Sequence, residues 1–373
     1  MNRAAYVLAS ALFAVLVLVK FSPQTGFTSL IRFGETWQDH RHSALRDLPL
    51  ATVPQSNGYD GQFYAQIALD PLLHSRELTT VIDAPAYRAR RILLPATAAV
   101  LGIGHPGWTL QAYALLNVLC WFALAWLLYR QIGNRDWTGF ARWAGCMFGV
   151  GVLDSVRQSL VDLPALLLLV LAAIAHAQAR PARSISWLAL ANLTKETTLL
   201  GTLALQIGPE PSEARRWSHP LLGFFLAALP LALWSGYVQL QFHDLPGGSG
   251  LGNFSWPFLG ALTQARYALR EMSFGDFDGR YSFSVLAMLG FATQCWFLWR
   301  TPQPNFPWWR IGVAYASLLP FLSFWVWSGY WAACRAVLPL TVAFNLLLPA
   351  NRWFWPLWIA GNISLLHGVW RFL

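Results

Sequence analysis

The chain has 373 residues, 56% hydrophobic and 12% charged, with a formal net charge of +9. Its apolar runs reach the roughly 18 residues that a bilayer crossing needs, which excludes the two or three soluble domains that length alone allows. The positive charge sits on arginines placed singly or in twos between those runs, and Lys20 and Lys195 are the only lysines. No concentrated basic face of the kind that binds nucleic acid results. The composition therefore implies an all-α polytopic membrane protein, and its 21 tryptophans suit the headgroup level of a bilayer.

In chain order, a basic start and the apolar stretch from Ala4 to Phe21 predict a first helix. No small-residue cleavage site follows it, since Lys20-Phe21-Ser22-Pro23-Gln24 comes next, so it is expected to be retained. A polar first loop covers 22–91. An interfacial helix is expected over 86–104, its apolar part, Ile92 to Ile103, being short for a span. Gly104-His105-Pro106-Gly107 separates it from a span at Trp108 to Tyr129. Further apolar segments lie at Phe140 to Val152, Leu163 to Ala177 and a broken hairpin over 185–207, bent at Thr194-Lys195-Glu196-Thr197. They continue at Leu221 to Leu240, Phe283 to Leu298, Ile311 to Trp327, Val337 to Leu348 and Trp353 to Val369. About 10–11 spans are expected. With the N-terminus inside, Arg130, Arg135, Arg180, Arg183, Arg215, Arg216, Arg300, Arg310 and Arg352 all fall in cytoplasmic loops, as the positive-inside rule requires. If Ile92 to Ile103 also spans, the later loops invert.

The preferred topology collects Asp60, Asp70, Asp83, Arg88, Arg90, Arg91, Asp154, Arg157, Asp162, Lys195, Glu196, Asp276, Asp278 and Arg335 on the outer face. Ionisable groups near a membrane are costly, so their convergence marks a candidate site. Asn57-Gly58-Tyr59-Asp60-Gly61-Gln62-Phe63-Tyr64 is the most informative stretch. Asp60 is either the N-cap of a short helix or a general base that deprotonates a hydroxyl, and the two roles are compatible. Asp83, Asp154 and Asp162 read as caps or pocket groups, with Asp83 placed to cap the interfacial helix and Pro85 in its first turn. Arg88 and Arg91 share a helical face, where they either hold a phosphate or snorkel to anionic headgroups. Lys195 and Glu196 either pair with one another or line a cavity at the break. Tyr330 and Arg335 are further pocket candidates. Asp276 and Asp278 form a D-x-D in a glycine-flanked turn, too few oxygens for a cation cage. Cys120, Cys146, Cys295 and Cys334 lack paired spacing and read as small core residues. No metal or cofactor is expected.

The order of these motifs resembles the GT-C superfamily of integral-membrane glycosyltransferases, which includes protein mannosyltransferases and lipid A aminoarabinose transferases. Asn57 to Tyr64 is similar to the acidic motif of that family's first outer loop, and Tyr87 to Gly104 to its interfacial helix. Arg157 to Leu168 resembles its second acidic turn, and Leu193 to Thr197 its lysine hairpin. Asp60 departs from the pattern in having no acidic neighbour. The resemblance divides the chain into a module over 1–210 and variable C-terminal helices over 211–373.

That resemblance implies transfer of a sugar from a polyprenyl-phosphate donor to a hydroxyl on an envelope glycan, lipid or protein, with inversion. It implies a bacterial inner-membrane location with the site facing outward. Asp60 is the implied base, and Arg88, Arg91, Lys195 and Arg335 the implied donor-phosphate ligands. Tyr59, Gln62, Tyr64, Asp83, Asp154, Asp162, Glu196 and Tyr330 are further pocket candidates. Expected partners are the lipid-linked donor, the acceptor and membrane lipids, without nucleic acid. A non-catalytic flippase or transporter of lipid-linked glycan is the alternative, since broken helices also serve transport.

Overall fold

The computed structural model describes residues 2–133, 136–206, 220–243, 250–275 and 279–373. The protein is 72% helical. Its strands are two residues each, Phe33–Gly34 pairing in parallel with Thr52–Val53. Among the described residues, three helices are long and apolar enough to cross a membrane: Pro106–Gln131, Leu221–Gln241 and Gly279–Arg300. A fourth crossing is available if Tyr330–Ala336 and Leu338–Leu347, bent by 65°, act as one. Arg135, Arg215, Arg216, Asp276 and Asp278 lie outside the described residues.

Several expected continuous spans are broken, and the causes are local. Phe140 to Val152 divides into Trp137–Met147 and Val150–Arg157 around Phe148 and Gly149. Ile311 to Trp327 divides into Pro307–Ala316, a 3-10 turn at Leu319–Phe321 and Phe324–Ser328. Pro320, which lacks an amide hydrogen, sits within that break. Trp353 to Val369 divides at Asn362 into Phe354–Gly361 and Leu365–Phe372.

The expected interfacial helix is also two pieces, Pro85–Ala89 and Leu93–Gly102. The second ends where Ile103 (φ 48°) and Gly104 (φ 75°) turn left-handed. His105 then caps the helix Pro106–Gln131 by accepting from the Trp108 amide, and Pro106 fits its first turn.

Two apolar clusters form the interior. One joins the helix Asn2–Leu18, the first loop and Pro106–Gln131 and reaches Leu338 and Phe372; the other runs from Ala141, Leu169, Leu188 and Leu205 into the C-terminal helices. Tyr64 and Val161 belong to the first, Leu322 and Val326 to the second, and all four line one cavity. The candidate site thus occupies the seam.

Candidate functional site

The helix Asp60–Ile67 positions the central carboxylate. Gly58 turns left-handed (φ 74°), a conformation that glycine adopts without strain. A Cβ on Gly61 would lie 2.1 Å from the Gln158 carbonyl oxygen and 2.9 Å from that of Ile31. Glycine here lets the helix start rest directly on the turn after Arg157. Gln62 is wholly buried and braces the same corner: its amide oxygen accepts from Gly34 (3.0 Å), and its nitrogen donates to the Asn57 carbonyl (2.7 Å).

The cap reading of Asp60 fails. Tyr59 stands at the N-cap without a side-chain cap bond, and the Asp60 carboxylate instead accepts from Arg88 Nη2 at 2.9 Å. Asp83 and Asp162 are not caps either, since Ala84 and Val161 hold those positions. Opposite charge captures all three carboxylates, an interaction about twice as strong as a neutral hydrogen bond.

Asp83 grips Arg88 through both oxygens, at 3.0 and 2.8 Å. Arg88 therefore lies behind Asp60 as a bracket between two carboxylates. Arg91 forms a two-pronged pair with Glu196 at 2.9 and 2.6 Å, and donates to the Tyr64 and Tyr87 hydroxyls at 2.6 and 2.5 Å. Arg88 and Arg91 thus hold separate partners. So do Lys195 and Glu196, which do not pair with each other. The Lys195 amine meets Asp162 at 2.5 Å, and Arg335 reaches the other Asp162 oxygen at 3.2 Å. The break that frees them is at Lys195, between the helix Pro181–Thr194 and the 3-10 turn Glu196–Thr198.

These pairs surround a cavity of about 310 Å³ lined by Asp60, Asp162, Glu196, Arg90, Arg91, Lys195 and Arg335, among others. Its remaining wall is largely apolar, with Leu318, Leu322, Trp325 and Val326 supplied by the C-terminal half. Among its three carboxylates, Asp162 and Glu196 commit both oxygens to cations. Asp60 commits only Oδ1, and its side chain retains 32% exposure. Burial acts to raise the Asp60 pKa, but Arg88, then Arg335 and Arg91, outweigh it and hold the carboxyl below its ordinary 3.8. An oxygen ionised at neutral pH faces the cavity.

Tyr59 closes one side. Its hydroxyl accepts from Arg335 Nη2 (2.8 Å) and Trp331 Nε1 (2.9 Å), leaving its own proton available for donation. Burial pushes its pKa up to about 12, so that proton stays. Asp154 lies off the cavity, held between Arg371 (3.2 Å) and Arg335 (3.5 Å). Tyr330 also lies off it, with its hydroxyl on His367.

Sequence reasoning missed Tyr87, Asn253, Trp325 and Trp331. Tyr87 carried a usable signal, being four residues before Arg91, which lies 4.4 Å over its ring. The others lie in the C-terminal half, far from any motif. Compared with protein-family models, curated proteins and solved structures, the chain matches none.

Proposed function

We propose that the protein is a membrane glycosyltransferase that moves a sugar from a polyprenyl-phosphate donor to a hydroxyl acceptor on the outer side of a bacterial inner membrane, within a GT-C-like bundle. The observation that carries this reading is the Asp60 oxygen left without a partner among the described residues, in a cavity whose other carboxylates are fully paired. Among its described residues that wall carries four cations and three carboxylates, groups that suit a phosphate. The apolar wall beside them suits the isoprenoid chain, which transfers favourably from water into such surroundings.

In the reaction, Asp60 Oδ2 takes the proton of the acceptor hydroxyl while the acceptor oxygen attacks the anomeric carbon. The carbon–oxygen bond to phosphate breaks, and its electron pair leaves with the polyprenyl phosphate. Arg91, Lys195 and Arg335 are already oriented by their carboxylates, so little reorganisation accompanies the growing phosphate charge. Arg88 is a positioning residue that fixes Asp60.

Donor class is tested by thermal unfolding in detergent. Polyprenyl phosphate is expected to raise the midpoint, whereas free polyprenol leaves it unchanged. Equal stabilisation by both contradicts a phosphate site.

The Asp60–Arg88 pair also sets a pH profile. Because the carboxyl titrates below 3.8, turnover should keep its base form down to that region and fall only at lower pH. Arg88→Gln removes the largest lowering influence and leaves burial, which raises the pKa. The acidic limb should then move to higher pH; an unmoved limb contradicts the bracket role.

A further inference from the structure

A second, open cavity of about 510 Å³ lies on the other side of Tyr59, with Arg32, Tyr59, Arg157, Trp331, Trp370 and Arg371 among its lining. Three arginines face it, and among the described residues no Asp or Glu side chain does. Tyr59 lines both cavities, so the two share a wall.

The charge balance here is unlike that of the first cavity. There, every cation whose ion pair is described has a carboxylate partner. Here Arg371 alone is paired, to Asp154 at 3.2 Å, and Asp154 also serves Arg335. Neither Arg32 nor Arg157 makes a side-chain hydrogen bond or ion pair among the described residues, and Arg32 Nε is buried without a partner. Lys20, whose amine donates to the Leu373 carbonyl at 2.7 Å, adds positive charge within electrostatic range of both. Half-buried guanidinium groups left facing one another repel, and an anion relieves that repulsion.

Arg32 is left-handed (φ 62°), a conformation sparsely populated by non-glycine residues. Its carbonyl accepts the Tyr59 amide at 3.1 Å. The same residue thus anchors the start of the Asp60 helix and directs a guanidinium to the second cavity. Arg157 belongs to the turn on which Gly61 rests. Arg371 stacks over Trp331 at 4.2 Å, and Trp331 in turn donates to Tyr59.

We propose that Arg32, Arg157 and Arg371 form an anion site that anchors a phosphate or carboxylate group of the acceptor, with the donor held across Tyr59 in the first cavity. This rests on the glycosyltransferase reading and narrows it: the acceptor is anionic. Guanidinium forks match both oxyanions, and Trp370, 74% exposed at the rim, offers an apolar or sugar-stacking surface beside them.

The test uses the full chain in phosphatidylcholine nanodiscs, with polyprenyl phosphate present to occupy the first cavity and radiolabelled pyrophosphate as probe. Wild type is expected to bind the probe, and Arg32→Gln/Arg157→Gln to bind it at least tenfold more weakly. Stabilisation by polyprenyl phosphate should persist in that variant, which shows that it is folded. Arg32→Lys/Arg157→Lys, which keeps the charge, should retain most of the probe binding. Loss of probe binding in phosphatidylglycerol nanodiscs identifies a lipid headgroup as the source of the anion; retention identifies a soluble or glycan-borne one. Unaltered probe binding by the Gln variant, or none by wild type, overturns the site. If the probe binds through Arg32 and Arg157 while polyprenyl phosphate fails to stabilise wild type, the anion site stands and the donor reading falls.

Discussion

Asp60→Asn is expected to lower sugar transfer by about 10²- to 10⁴-fold, the usual worth of a positioned general base. The amide keeps the size of the carboxylate but removes the one oxygen that, among the described residues of the cavity, is both charged and unclaimed. Arg88 remains gripped by both oxygens of Asp83, so the bracket survives the substitution. Donor affinity should therefore change far less than turnover, and steady-state kinetics in proteoliposomes read the split. A loss confined to KM would recast Asp60 as a binding group. Equal turnover by both proteins would remove it from the chemistry.

Asp162→Ala is expected to be the most damaging single substitution for stability, at about 3–5 kcal/mol. Asp162 is 6% exposed in its side chain and serves Lys195 and Arg335, which are 11% and 9% exposed. Removing it leaves Lys195 without a carboxylate and Arg335 with only the longer contact to Asp154, at 3.5 Å. The unfolding midpoint in detergent should fall accordingly. Asp162→Leu combined with Lys195→Met removes charge from both sides and should cost less than the two single changes together, a coupling that a double-mutant cycle measures. Additive losses would mean that the pair holds nothing in common.

Much of the site was legible because its chemistry is concentrated in local strings. Asp60, Arg91, Lys195 and Arg335 stand out as charges in an apolar chain, and all four line one cavity. Their partners were not legible. A carboxylate beside a helix start fits a cap by spacing alone, whereas Arg88 lies 28 residues away from Asp60 and Glu196 lies 105 from Arg91. Only the fold brings such pairs together, and in a low-dielectric setting the long-range cation outcompetes the nearby amides. Arg32 was passed over for the same reason: one arginine in a polar loop looks solvated until Arg157 and Arg371 are packed around it.

The fold divides similarly. Helix content and the long apolar helices follow from composition, and Leu163 to Ala177 is realised almost as expected, as Asp162–Ala177. Breaks within apolar runs are harder to place, because hydropathy is blind to a backbone turn at Gly149, Pro320 or Asn362. The helix break at Lys195 was legible, since adjacent charges in an apolar run rarely continue a buried helix.

Cleavage of a sugar–phosphate bond in the cavity is measured directly by a donor labelled with tritium in the sugar and phosphorus-32 in the phosphate, presented to proteoliposomes with a hydroxyl acceptor. Tritium is expected to move to the acceptor while an equal amount of phosphorus-32 appears as polyprenyl phosphate. Both labels crossing the bilayer together on an intact donor would contradict cleavage and identify a transporter.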